Sequence, residues 1–599
     1  MIIAFIVIVA IIYIIQLFSL QVIKQDYKAS ADNNAFLYQT IHPARGTIYD
    51  RNGELLVFNQ PAYDLMVVFK ETQPFDTTEF CRILKIDTDY FKKRQQDIKN
   101  RSLNPGYSSY TPQVFLTQLG FEEYGLFQEN SYKFPGFYTQ RRTIREYKRP
   151  NAAHILGYIA EVDKKDIAED DYYVRGDYIG KSGIENFHEK HLRGEKGIEI
   201  LLRDSKGRIK GKYNNGDNDR ESVPGKNLKL SIDIELQAYG EELMQNKLGS
   251  IIMIEPSTGE ILCMVSSPTY DPAILVGREF GNGYISLANN PYKPLFNRAL
   301  TGTYPPGSTF KIAQGLTFLE EGIIQPSTVY SCWGKSAKPN CHDAAGRTFS
   351  LVPAVATSCN AYFSRGLINM LENRKKYKSF QEAMNKWRDH MVGQGFGYPL
   401  KVDLPGESRG MIPNSEYYDK NYNSRWNAYT VISIAIGQGE VTATPLQIGN
   451  LAASIANRGF FYTPHVVKEI ADTPLDTLYT EKRGTSIAPE HYIPIIEGMR
   501  NAVIGGTCRG TNIPDIIVCG KTGTAQNKGK DHSIFMGFAP MENPQVAIYV
   551  YVENGGFGAS FAVPIARLMI QKYLKREIPA SDKDLENRMK NTVILRNVP

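Results

Sequence analysis

A serine hydroxyl becomes a useful nucleophile at neutral pH only when a neighbouring base takes its proton. Ser308 and Lys311 stand three residues apart in Ser308-Thr309-Phe310-Lys311, so on a helix they share one face and the amine reaches the hydroxyl. Tyr304-Pro305-Pro306-Gly307 supplies a turn that places Ser308 at a helix N-terminus, where backbone N–H groups favour developing negative charge. Alone, such a pair reads as an ordinary solvated helix face. Serine acyl-transfer enzymes that use it need two further elements downstream, Ser-x-Asn and Lys-Ser/Thr-Gly.

Both follow. Ser-x-Asn occurs at Ser102-Leu103-Asn104 and Ser358-Cys359-Asn360, and Lys-Ser/Thr-Gly at Lys181-Ser182-Gly183 and Lys521-Thr522-Gly523. Only the second of each lies beyond Ser308, and the early pair read as turn residues. Ile516-Ile517-Val518 is expected to run as a strand into Lys521, giving an edge for an extended peptide. Lys521 would hold a carboxylate with Thr522 and Thr524 across Gly523, and the N–H groups of Ser308 and Thr524 would form an oxyanion hole.

Cys332, Cys341, His342 and Cys359 fall between the first two motifs, with Cys359 inside the second. Three sulfurs and an imidazole suit tetrahedral zinc. Adjacent Cys341 and His342 are hard to use together, which makes Asp343 a substitute ligand. A Cys332–Cys341 disulfide and unrelated buried thiols are the other two readings. His188 and His191, three apart, read as surface helix histidines rather than as a metal pair.

The elements that position these residues follow from hydrophobic patterning. Leu228, Leu230 and Ile232 alternate as a strand, Leu236 to Met244 has a helical period, and Ile251–Ile254 with Ile261–Val265 flank Pro256-Ser257-Thr258-Gly259 as a hairpin. Helices are expected near 352–372 and 445–457, and a last strand at Val546–Val552. Strands at both ends with helices between describe an α+β domain whose first and last segments share one sheet. Residues 25–220 are polar, with short apolar runs such as Tyr63–Phe69, and the cluster at 214–221 before Pro224-Gly225 marks a boundary.

A chain of 599 residues exceeds a single core, and 42% hydrophobic content excludes a disordered chain. A net charge of +6 without a long basic block argues against a nucleic-acid partner. Residues 1–23 contain no charge and are long enough to cross a bilayer; Gln21-Val22-Ile23-Lys24 offers no small-residue cleavage site, which favours an uncleaved anchor. The expected organisation is therefore a single N-terminal transmembrane helix (1–23), an extended α+β pedestal domain (24–222), an α+β catalytic domain (223–576) and a C-terminal tail (577–599).

These motifs resemble the class B penicillin-binding proteins over nearly the whole chain. Further marks are Arg45-Gly46-Thr47-Ile48-Tyr49-Asp50-Arg51, Gly180 and Gly183-Ile184-Glu185, Asn297-Arg298-Ala299, Gly437-Gln438-Gly439 with Thr442-Ala443-Thr444-Pro445, and Gly537-Phe538-Ala539-Pro540. The stretch from Pro294 to Lys311 looks more like the elongation-type members than the division-type ones. The resemblance implies a penicillin-binding, β-lactamase-like transpeptidase domain that cross-links peptidoglycan stem pentapeptides through a Ser308 acyl-enzyme, releases D-Ala and is blocked by β-lactams.

The same resemblance makes Lys311 the base, has Ser358 and Lys521 relay protons, and has Asn360 orient the substrate amide. No cofactor is required for that chemistry; zinc would be structural. It also implies a single-pass protein of the bacterial inner membrane with its bulk in the periplasm. Partners would be a SEDS-type glycosyltransferase and elongation scaffold proteins. A β-lactamase or β-lactam sensor shares the three motifs, but no water-activating device and no signalling segment is evident; an inactive scaffold would not need Ser308, Lys311 and Lys521 intact.

Overall fold

The computed structural model describes residues 2–18, 36–102, 104, 107–203, 209–343, 345–527 and 529–595. Contacts divide the chain into two units that do not follow chain order: 1–47, 58–145 and 190–226 form the first, and 48–57, 146–189 and 227–599 the second.

The first unit packs around phenylalanines. Phe80, Phe115, Phe127 and Phe134 are fully buried and meet mostly edge to face, as between Phe80 and Phe134 with centroids 5.0 Å apart. Helices Thr77–Ile83 and Thr88–Lys99 begin at Asp76 and Asp87, whose carboxylates accept N–H bonds from the first turn. Phe36–Ile41 pairs antiparallel with Gly197–Arg203. Ile2–Phe18 is helical for 17 residues, while Ser19–Ile23 of the expected span lie outside the described residues. Among the described residues, no helix is long and apolar enough to cross a membrane.

The second unit is built on one five-stranded sheet. Its strands are β1 (Gly249–Ile254), β2 (Ile261–Ser267), β3 (Cys519–Ala525), β4 (His532–Ala539) and β5 (Val546–Val552), in the order β2-β1-β5-β4-β3. The hairpin and the last strand share this sheet, since Ile251 pairs with Val550 in antiparallel register, but the first expected strand, Leu228–Leu230, lies in another sheet and pairs with Val467–Ile470 and with Ile48–Tyr49. β1 and β5 are buried at every position, which explains their continuous apolar runs.

Helices cover the sheet. α1 (Ile234–Leu243) starts at Asp233, whose side chain caps Leu236 N, and α2 (Phe310–Glu320) is buried along nearly its whole length. The expected helix at 352–372 is two, α3 (Leu351–Thr357) and α4 (Asn360–Leu371), because Ser358 between them is left-handed at φ 63°. α5 (Pro445–Ala456) has a Thr444–Gln447 capping box and proline at its start. α6 (Tyr492–Ile504) and α7 (Ala562–Lys575) follow. The stretch expected as a tail carries α8 (Lys583–Asn591). Its Met589 is buried in the core that includes Tyr239 and Leu568.

Ile516-Ile517-Val518 is not a strand. Ile513 and Ile516 bridge across a tight turn and pairing begins only at Cys519, because Pro514 and the positive φ of Asp515 turn the chain there.

Candidate active site

Ser308 lies in a short 3-10 turn, Gly307–Thr309, that feeds directly into α2. Two glycines allow that turn to sit where it does. Gly307 has φ +56° and a Cβ there would meet Thr524 O at 2.9 Å; Gly437 has φ +68° and a Cβ there would lie 2.3 Å from Gly307 O. The N–H of Gly307 donates to Gly437 O at 2.9 Å, and Gln438 Nε2 reaches Thr524 O at 3.4 Å. The nucleophile turn is thus pressed between the Gly437-Gln438 loop and the edge of β3.

One turn on, Lys311 is fully buried. Its amine donates to Ser358 O at 2.7 Å, to Ser358 Oγ at 3.2 Å and to Asn360 Oδ1. Burial, reinforced by the Lys521 charge, pushes the Lys311 amine well below its ordinary range, the direction a general base requires. The left-handed Ser358, an uncommon conformation for serine, turns its hydroxyl and carbonyl to one amine at the α3–α4 break. Asn360 is held from the other side by donation of its Nδ2 to Asn340 O.

Lys521 is fully buried on β3 and donates to Thr522 O at 3.0 Å; burial brings its amine down to about 8. Thr522 Oγ1 donates to Thr507 Oγ1 at 2.7 Å. Ser308, Ser358, Asn360, Thr522, Gly523 and Thr524 all line one cleft of about 1150 Å³, with Lys311 and Lys521 buried beside it. The Ser308 motif and the two downstream of it therefore meet at one place. The early copies do not line it: Ser102 sits in an exposed turn, and Lys181 is engaged by Asp163 and Asp166.

The cysteines converge differently from expectation. Cys332, Cys341 and Cys359 are buried, and their sulfurs with an Asp343 carboxylate oxygen all lie within 4.8 Å of one another. His342 is not in the group. It is exposed and its Nε2 lies 2.8 Å from Thr357 O. All seven cysteines are free. The Cys341 and Cys359 sulfurs are 3.8 Å apart, and their mutual hydrogen bond draws Cys341 down and pushes Cys359 up. His188 is likewise no surface residue: it is 6% exposed, with Nε2 3.6 Å from Asp403 Oδ2.

Sequence reasoning missed Thr507, Arg509, Phe557 and Arg588 on the cleft wall, since none carries a spacing that marks it.

The penicillin binding protein transpeptidase domain model matches residues 249–571. The chain belongs to the penicillin-binding protein transpeptidase family. The dimerisation-domain model of penicillin-binding proteins matches residues 40–230. The peptidoglycan D,D-transpeptidase MrdA of Acinetobacter baumannii is 33% identical over 578 residues, covering 91% of this chain and 82% of that protein. PBP2 of Pseudomonas aeruginosa, solved in complex with WCK 5153, is 27% identical with a TM-score of 0.67, covering 91% of this chain and 99% of that one. PBP2 of Helicobacter pylori in its complex with MreC gives a TM-score of 0.73 at 24% identity, covering 90% and 99%; at that identity it speaks for the fold.

Proposed function

We propose that this penicillin-binding protein is an elongation-type peptidoglycan D,D-transpeptidase. The observation that carries the reading is a buried Lys311 amine one helical turn from Ser308 and bonded to both polar residues of Ser358-Cys359-Asn360. In its unprotonated form, which burial favours, the amine accepts the Ser308 proton as Oγ attacks the penultimate D-Ala carbonyl. Ser358 Oγ, 3.2 Å from the same amine, passes a proton to the departing D-Ala nitrogen. Lys521 and the Thr522 and Thr524 hydroxyls hold the terminal carboxylate, and Asn360 orients the donor amide.

Fluorescent penicillin tests this directly. The full chain takes one label, and Ser308→Ala takes none; equal labelling of the variant overturns the assignment.

Residues 1–23 are proposed as a single-pass anchor in the bacterial inner membrane, with the bulk of the chain after them in the periplasm; their uncharged composition supports this. A SEDS-type glycosyltransferase and a scaffold protein are proposed as partners, the latter supported by the MreC complex of a protein of the same fold. Cys332, Cys341, Cys359 and Asp343 are proposed to hold zinc, for which three thiolates and a carboxylate are a fitting donor set. The metal would fix the loop 332–343 against the second motif and take no part in the acyl transfer.

A further inference from the structure

The far end of the nucleophile helix carries a second serine with a base. Glu321 follows directly on α2 and is buried. His390, buried on the helix Phe380–Gly393, places Nε2 2.6 Å from Glu321 Oε1 and Nδ1 2.8 Å from the hydroxyl of Ser486. Three separate segments thus build a chain from an exposed hydroxyl through an imidazole to a buried carboxylate. The carboxylate is fixed in turn by Lys376 Nζ, 2.6 Å from Oε2, and by the Tyr377 hydroxyl, which donates to the same oxygen. Neither Ser486, His390 nor Glu321 lines the Ser308 cleft.

The hydrogen bonds set the direction in which a proton can move. Against its burial, Glu321 is held at about 2 by Lys376, Tyr377 and His390. As a carboxylate it only accepts, so Nε2 carries the hydrogen and the neutral imidazole presents its lone pair at Nδ1. Ser486 therefore donates to a base that a third group orients, an arrangement that serves acyl transfer on unrelated folds. The adjacent hydroxyl is the contrast: Thr485 Oγ1 donates to Gly459 O and lies 2.8 Å from the Tyr492 hydroxyl. The backbone N–H groups of Ser486 and Ile487 have no hydrogen-bond partner among the described residues, which leaves two donors beside the hydroxyl for a developing oxyanion. Gly393 keeps this side uncovered, since a Cβ there would lie 2.7 Å from Ser486 Oγ and 3.3 Å from Ser486 N.

We propose that Ser486, His390 and Glu321 form a second acyl-transfer site, independent of Ser308, that hydrolyses small carboxylic esters reaching it from solvent. Ser486 Oγ bonds to the ester carbonyl carbon while its proton passes to His390 Nδ1. The bond from that carbon to the alkoxide oxygen breaks, and the alcohol leaves with the proton. Water then gives a proton to Nδ1 as its oxygen bonds to the acyl carbon. The bond to Ser486 Oγ breaks, the acid departs and the proton returns to the serine. An ester suits the site better than an amide because an alkoxide leaves with less help from a general acid than an amine does. The substrate is small because Ser486 sits on an exposed connection between Arg483–Gly484 and Pro489–His491.

The test uses the full chain carrying Ser308→Ala, which removes the first nucleophile, and two probes. One is a tagged fluorophosphonate, whose phosphorus bonds to a reactive serine oxygen as fluoride leaves; the other is 4-nitrophenyl butyrate. The S308A chain takes the phosphonate at Ser486, located by mass, and releases nitrophenolate in steady turnover. S308A/S486A takes none, and its ester turnover falls by about a hundredfold or more. H390Q in the same background slows labelling by about 10²–10⁴-fold. With Ser308 intact, penicillin labelling of S486A and H390Q reports folding at the other site. A Ser486 that merely ties its loop to the helix takes no phosphonate, and that result overturns the proposal. So does ester turnover that survives S308A/S486A, or a labelled S308A chain without turnover. Unchanged labelling in folded H390Q also overturns it, and if H390Q does not fold, S486A at its exposed position decides by the other two criteria.

Discussion

The Lys311 amine lies 2.7 Å from the carbonyl and 3.2 Å from the hydroxyl of Ser358. One buried nitrogen thus reads both the backbone and the side chain of a residue 47 positions along the chain. The nucleophile helix and the second motif are coupled through that single atom.

Removing it should leave Ser308 without a base. Lys311→Met keeps the volume of the stem in a fully buried site, so the fold survives while penicillin acylation falls by about 10²–10⁴-fold. Stopped-flow labelling measures this, and a loss of less than about fivefold contradicts the role.

Lys521 predicts a pH profile. Its amine is protonated below about 8 and neutral above, so KM for a carboxylate-bearing donor should rise as pH climbs through 8, while an ester or amide analogue shows no such rise. In stability the sign is the reverse. The folded value lies below the ordinary 10.5, so between about 8 and 10.5 the unfolded chain binds the extra proton and this group makes folding more favourable as pH increases.

Glu321 sits at the C-terminal end of α2, where the helix dipole disfavours a carboxylate. Burial also pushes its carboxyl up, yet hydrogen bonds from Lys376, Tyr377 and His390 outweigh both and hold it at about 2. Its stabilising contribution is complete above about 4.5 and disappears as pH falls toward 2. Glu321→Gln should lower stability at pH 7 by about 2–4 kcal/mol, with a smaller difference from wild type at pH 3; thermal melts at the two values check it.

Gly437 tests the approach of two loops. Alanine there meets Gly307 O at 2.3 Å and keeps a positive φ, so G437A should displace the nucleophile turn and cost at least about 1–3 kcal/mol. Penicillin labelling should fall more than the melting temperature does.

The cysteine cluster predicts about one zinc per purified chain by metal analysis. C332S or C359S should lower that content and lower the melting temperature, whereas H342A should leave both unchanged because His342 bonds Thr357 instead. Metal-free protein that also lacks reactive thiols would favour the disulfide.

The three motifs were legible because their chemistry demands fixed residue types at fixed order, and order alone separated Lys521 from Lys181. The hairpin β1–β2 and strand β5 were legible from unbroken apolar runs. What the sequence hid were contacts made at a distance. Nothing in Arg588 or Leu585 signals that α8 returns to the cleft, since the anchors are a buried Lys247, which donates to Met589 O, and Met589 itself. His188 looked like a surface helix residue because burial against Asp403 depends on chain 215 positions away. The break at Ser358 was hidden too, as the apolar pattern continues across it.

The pairing of β1 with β5 joins segments about 300 residues apart, which bears on how the protein is made. β1 has no partner on one side until β5 has emerged from the ribosome, and closing so long a loop is slow. Newly synthesised chains should pass through a stage in which β1 and β2 form an exposed hairpin, vulnerable to aggregation, and antibiotic binding should begin only after synthesis has moved beyond Val552.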